Sequence, residues 1–207
     1  MDHAVALAHP IEEEEVTSTG IPHDKMGMWV FLCSEVMFFT GLIGSYIVLR
    51  FASPLWPQPS TVLNVPLTAM NTFILICSSV TMVQSLASAK RGDLAKMKLF
   101  LSLTLLFGAI FISIQGVEYW KLLHEHTEHY PTGFNPHVSL FGSIFFTTTG
   151  FHGFHVFCGV VCMAYMTGKA FLGKLTQAHH QGIETLGLYW HFVDLVWIVL
   201  FTIIYLI

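Results

Sequence analysis

A small set of side chains in this 207-residue chain has the types and spacing that could do chemistry. Glu35 stands in FLCSEVMFFTG, an ionisable carboxyl inside a run that otherwise reads as lipid-soluble. His152 and His155 lie three apart in GFHGFHV, and His191 and Asp194 three apart in YWHFVD. On a helix that spacing puts both members of a pair on one face. Glu118 sits in IQGVEYW, beside two aromatic residues. Carboxyl and imidazole groups store and pass protons, and imidazole is also the commonest metal ligand.

The elements that must position these groups are set by composition. The chain is 54% hydrophobic and 11% charged, against about 25% charged in ordinary soluble domains. Five apolar runs are each long enough to cross a bilayer, which takes about 20 residues. They cover residues 26–50, 66–89, 96–122, 138–168 and 184–206. Unsatisfied backbone is costly in lipid, so these runs are expected to be helices. The expected fold is therefore all-α, an integral membrane bundle of five transmembrane helices forming one domain over 26–207. Residues 1–25 read as a polar N-terminal tail, acidic and short of apolar surface.

Basic residues orient the bundle. Five spans place Lys25, Lys90, Arg91, Lys96, Lys98, Lys169 and Lys174 on one side, and Arg50 and Lys121 on the other. That asymmetry puts the N-terminus inside and the C-terminus outside. A net charge of −4 argues against a nucleic-acid partner. Cys33, Cys77, Cys158 and Cys162 all fall in apolar runs, where they read as packing residues. Gly41 with Ser45, and Gly150, Gly153 and Gly159, are expected to let helices approach closely.

Helix rise, about 1.5 Å per residue, places Glu35 roughly 13 Å and Asp194 roughly 15 Å from the inner starts of their spans. His152, His155 and His191 fall at broadly similar depth. An ionised side chain there costs ~2.5–3.5 kcal/mol on insertion scales, so these groups are expected to face protein, partner one another or contact water. Two readings of Glu35 stand at this point: a proton-handling or gating group, and a hydrogen-bonded packing residue. Glu118, near the outer end of its span, reads as an interfacial anchor or a helix-pairing group. The histidines read either as cross-helix hydrogen-bonding groups or as ligands of haem or a metal. No Cys/His set has zinc spacing, and no C-x-x-C-H run occurs. His124, His126, His129 and His137 read as a wet interfacial loop.

SEVMFFTG, GVEYW, FFTTTGFHGFHV and LYWHFVDLVWIVLFTIIYL resemble, in order, the signature stretches of cytochrome c oxidase subunit III. The resemblance covers roughly residues 26–207. The long form of that family has seven helices. This chain is similar to the short bacterial form, with the first span corresponding to the family's third helix. The family's lipid cleft is bounded by the two helices that have no counterpart here.

The resemblance implies a non-catalytic subunit with no haem, copper or other metal of its own. It implies partners: a catalytic subunit I whose haems and copper reduce oxygen and pump protons, a copper-bearing subunit II, and cytochrome c as electron donor to the complex. It implies bound phospholipid and a multi-pass place in a bacterial plasma membrane. The resemblance implies a subunit that supports proton uptake; residue by residue, Glu35 matches the SEV glutamate, Glu118 the EY glutamate, His152 and His155 the GFHG-x-HV histidines, and His191 and Asp194 the YWHFVD pair, and together they are expected to form a proton-linked or buried polar network. Lys169 falls near a basic position that meets lipid phosphate in longer relatives. Subunit III of a quinol oxidase is the near alternative, and a nitric-oxide-reductase accessory protein related to the family a further one. A small independent transporter would call for inverted repeats or broken helices at the midplane, and neither is evident.

Overall fold

The computed structural model describes residues 20, 22–54, 56–124, 134, 136–137, 139–175 and 180–207. Its helices are α1 (His23–Ala52), α2 (Pro59–Val62), α3 (Val65–Lys90), α4 (Leu94–His124), α5 (Leu140–Phe171) and α6 (His180–Phe201), the last continued by a π-helical turn over Thr202–Leu206. Five of them are long and apolar enough to span a membrane. The chain is thus the all-α bundle that its apolar runs predict. Helix ends outrun the expected spans by a few residues because polar residues continue a helix past the hydrocarbon. His23, Asp24 and Lys25, expected in the tail, belong to α1, and Asp24 in its first turn suits the positive end of the helix dipole. Residues 1–19 of the expected tail lie outside the described residues. The short helix α2, with Pro59 at its first position, was not anticipated.

The ends of the helices are written in local chemistry. The Asn64 side chain caps α3 through the Leu67 N–H at 3.2 Å, and Ser139 caps α5 through the Gly142 N–H at 2.9 Å. The turn from α3 to α4 needs a left-handed residue and places Gly92 there, at φ +77°. The Asp93 N–H then reaches the Ser88 carbonyl at 3.0 Å and the Gly92 N–H reaches that of Ala89 at 3.0 Å, the two bonds that close a Schellman end. Asp93 in turn accepts the Lys96 N–H at 3.1 Å, which holds its carboxyl below the usual carboxylate range.

Each long helix buries a seam with alternating steps of three and four. On α4 it runs Met97, Leu101, Thr104, Gly108, Phe111, Gln115 and Glu118. On α5 it includes Phe145, Thr149, His152, Val156, Gly159 and Met163. On α1 only Leu32, Phe39 and Tyr46 are buried, seven apart. A repeat of 3.5 residues is the signature of left-handed helix packing. In lipid the outward faces are as apolar as the core, so the seam is marked by its polar and small members.

Trp190 is the wedge of the bundle. It is fully buried, and its indole N–H donates to the Ser78 hydroxyl at 2.9 Å. Its ring lies in the space left by two glycines. A Cβ on Gly108 would stand 2.7 Å from Trp190 Cη2, and one on Gly159 would stand 2.8 Å from its Cζ3. One heptad on, Trp197 donates to Thr72 at 2.9 Å. These two indoles register α6 against α3. The expectation of close approach therefore holds at Gly159. It fails at Gly41, Gly150 and Gly153, whose added Cβ would meet nothing within 4 Å.

Candidate functional site

The question of what Glu35 meets is answered by α5. Its Oε2 lies 3.0 Å from His155 Nε2. The opposite ring nitrogen, Nδ1, is 2.7 Å from the Phe151 carbonyl. A carbonyl cannot donate, so Nδ1 carries a hydrogen and the tautomer is set. The contact between Nε2 and Oε2 then holds one proton. Either a protonated Glu35 donates to the ring, or an imidazolium donates to a carboxylate. Both arrangements leave the pair with zero net charge, which suits its depth. The two side chains are 16% and 13% exposed, so the pair is largely but not wholly buried. The Tyr189 hydroxyl donates to the His155 carbonyl at 2.8 Å, and Phe39 lies edge-on, 5.2 Å from the His155 ring.

His152 does not join this pair. It is buried, stacks on Trp197 at 4.8 Å and meets Phe111 edge-on at 6.2 Å. Neither of its ring nitrogens has a hydrogen-bond partner among the described residues. Two histidines expected on one face thus serve different neighbourhoods, one turned to α1 and one to the core. Among the described residues no three His, Cys, Asp or Glu side chains come together as a metal-binding group.

His191 and Asp194 are drawn toward α3. The Ser79 hydroxyl is 2.5 Å from His191 Nδ1 and stands beside Asp194. Asp194 is 4% exposed, and neither of its oxygens has a hydrogen-bond partner among the described residues.

Glu118 is a helix-pairing group, not an interfacial anchor. It is 4% exposed and accepts from Thr68 of α3 at 3.0 Å. Its neighbour Trp120 is 65% exposed, with His124 stacked on it at 4.0 Å. Tyr119 sits 2.5 Å from the Thr149 hydroxyl, whose own hydrogen goes to the Phe145 carbonyl at 2.6 Å, so the tyrosine is the donor. His126 and His129 lie outside the described residues. Lys169 places its ammonium 4.6 Å from the Tyr165 ring.

Residue typing missed an ion cluster at the amino-terminal end of the bundle. Glu184 of α6 meets Lys25 of α1 at 2.6 Å and Lys90 of α3 at 3.4 Å. Its signal was present, since all three residues close or open spans on one side. Glu184→Gln removes the shared charge. Half-exposed pairs of this kind contribute about 0–1 kcal/mol. Thermal melts of the detergent-solubilised protein should show a small loss at low salt that vanishes at high salt; an equal loss at both would contradict the electrostatic account.

The sequence profile of the family described as cytochrome c oxidase subunit III matches residues 14–207. A probable cytochrome c oxidase subunit 3 of Mycobacterium leprae is 40% identical over 184 residues, 88% of this chain and 87% of that protein. A cytochrome c oxidase subunit 3 of Corynebacterium diphtheriae is 40% identical over 186 residues, with the same coverage of each chain. One from Thermostichus vulcanus is 33% identical over 182 residues, 87% of this chain and 86% of the relative. With five helices able to span a membrane and a family match over nearly the whole chain, the chain belongs to the cytochrome c oxidase subunit III family.

Proposed function

We propose that this chain is the haemless, copper-free subunit III of a terminal cytochrome c oxidase in a bacterial plasma membrane. It packs beside a catalytic subunit I that carries the haems and copper, and serves a complex that receives electrons from cytochrome c through a copper-bearing subunit II. Its N-terminus faces the cytoplasm, in keeping with the basic residues on that side. Lys169, in the last turn of α5, meets phosphate of a bound phospholipid there. The Glu35–His155 pair is the proton-linked element, and Glu118, His152, His191 and Asp194 form the polar interior that holds the helices around it.

The observation that carries this reading is the 3.0 Å contact between Glu35 and His155. It joins the outlying helix α1 to the bundle through a single shared proton. Solubilising membranes in mild detergent and isolating this chain tests the assignment. The expected result is co-purification with a haem-bearing large polypeptide and a copper-bearing second subunit. Co-purification with a quinol-oxidising complex whose second subunit carries no copper, or transport activity by the chain alone, would contradict it.

A further inference from the structure

His191 leaves one hydrogen bond unmade on the outer surface of the bundle. Its Nδ1 meets the Ser79 hydroxyl of α3, which is the ring's one hydrogen bond among the described residues. The residue is half-buried. Its Nε2 has no partner among those residues and, unlike the enclosed nitrogens of His152, keeps accessible surface. Helix rise places Ser79 roughly 16 Å from Lys90 and roughly 21 Å from Val65, the two ends of α3. The open nitrogen therefore lies within the hydrocarbon, which is about 30 Å thick.

Lipid has nothing to offer it, because acyl chains neither donate nor accept hydrogen bonds. Outward hydroxyls solve the same problem within their own helices. Ser45, Ser113 and Thr147 each donate to a carbonyl one turn back, at 2.8, 2.8 and 2.7 Å. Nε2 of His191 finds no such carbonyl. Whichever ring nitrogen carries the hydrogen, Nε2 is left with a donor or an acceptor to fill.

The surface around it has the spacing of a helix-packing seam. Ile76 and Val83 flank Ser79 on α3, and Leu195 and Ile198 follow His191 on α6, all four exposed and all at steps of three and four. Trp190 and Trp197 already fix α3 and α6 in register, so the two stripes are presented side by side. We propose that this face docks a transmembrane helix of the large haem-bearing subunit, and that a hydroxyl or amide side chain of that helix meets His191 Nε2. Such a group both donates and accepts, so it suits either tautomer, and it brings no further ionised side chain to this depth. The proposal rests on the reading of the chain as an oxidase subunit and adds which face it turns to the catalytic core.

The test uses the intact complex in mild detergent, with a photoreactive benzophenone amino acid replacing Leu195, Val83 or, as a control, Leu106, which is exposed on α4. Illumination should join the chain to the haem-bearing polypeptide from positions 195 and 83 and not from 106. His191→Phe should speed loss of the subunit on dilution about three- to tenfold, the worth of one hydrogen bond between membrane helices, and His191→Gln should restore retention. If His191→Phe disturbs the bundle through the Ser79 bond, the crosslinks decide. Co-purification with crosslinks to that polypeptide from 106 alone, or crosslinks from 195 only to lipid or to a second copy of this chain, would overturn the docking face and leave the oxidase assignment standing. Unchanged retention in His191→Phe would equally overturn the proposal. Absence of any haem-bearing polypeptide from the preparation would overturn both readings.

Discussion

Gly159→Ala and Gly108→Ala each destabilise the bundle by about 1–3 kcal/mol, the usual penalty for forcing a methyl into a well-packed core. The ring they would strike has nowhere to go. Trp190 is clamped between α4 and α5, with added Cβ atoms at 2.7 Å on one side and 2.8 Å on the other. Sliding it away would break the 2.9 Å bond to Ser78 and leave a buried indole N–H unpaired. The Val160 side chain, 3.0 Å from a Cβ at position 108, closes a further escape. Gly150→Ala and Gly153→Ala are matched controls on the same helix, because their added Cβ atoms meet nothing within 4 Å. Those two should leave the thermal midpoint unchanged, within about 0.5 kcal/mol. Equal midpoints for Gly159→Ala and Gly153→Ala, measured in the intact complex, would remove Trp190 from its place as the wedge.

Glu35→Gln keeps the subunit assembled but ends its proton exchange. Glutamine is nearly isosteric, and its amide N–H can donate to His155 Nε2 in place of a carboxyl O–H. The hydrogen bond that ties α1 to α5 therefore survives, while the group that stores a proton is gone. The expected outcome is unchanged subunit retention and haem spectra, with reduced pumped protons per electron or a shorter turnover lifetime. Glu35→Ala differs in kind. It leaves the ring nitrogen without a partner and should cost about 1–3 kcal/mol of stability, read as easier loss of this subunit in detergent. Normal proton stoichiometry and normal lifetime in Glu35→Gln would leave the pair a purely structural tie.

Particular residues show what could be read before the structure. The five spans were legible because length and unbroken apolarity are enough to require membrane helices. The seam within each helix was not, because a lipid-facing side is as apolar as a buried one and hides the period. Polar residues break that symmetry: Thr104, Gln115 and Glu118 of α4, and Thr149 and His152 of α5, mark the inward face. Glu118 was still legible only as far as its type, since its partner Thr68 is set by the register of α3 against α4. His152 and His155 were expected to act together. A spacing of three still turns a helix by about 60° short of a full circle, enough to send one ring to α1 and the other to the core. Glu184 was overlooked because its meaning depends on α6 lying between α1 and α3, an order that local sequence does not carry.

The central claim is that Glu35 and His155 act as one unit around a single proton, and a double-mutant cycle tests it most directly. Turnover lifetime and proton stoichiometry would be measured in the complex carrying Glu35→Gln, His155→Gln, and both together. A shared proton is lost entirely with the first substitution, so the second should add little: the double variant should match the more affected single one. Effects that simply add, as they do for independent sites, would mean that carboxyl and imidazole work apart and that the pair is not the proton-linked element of this subunit.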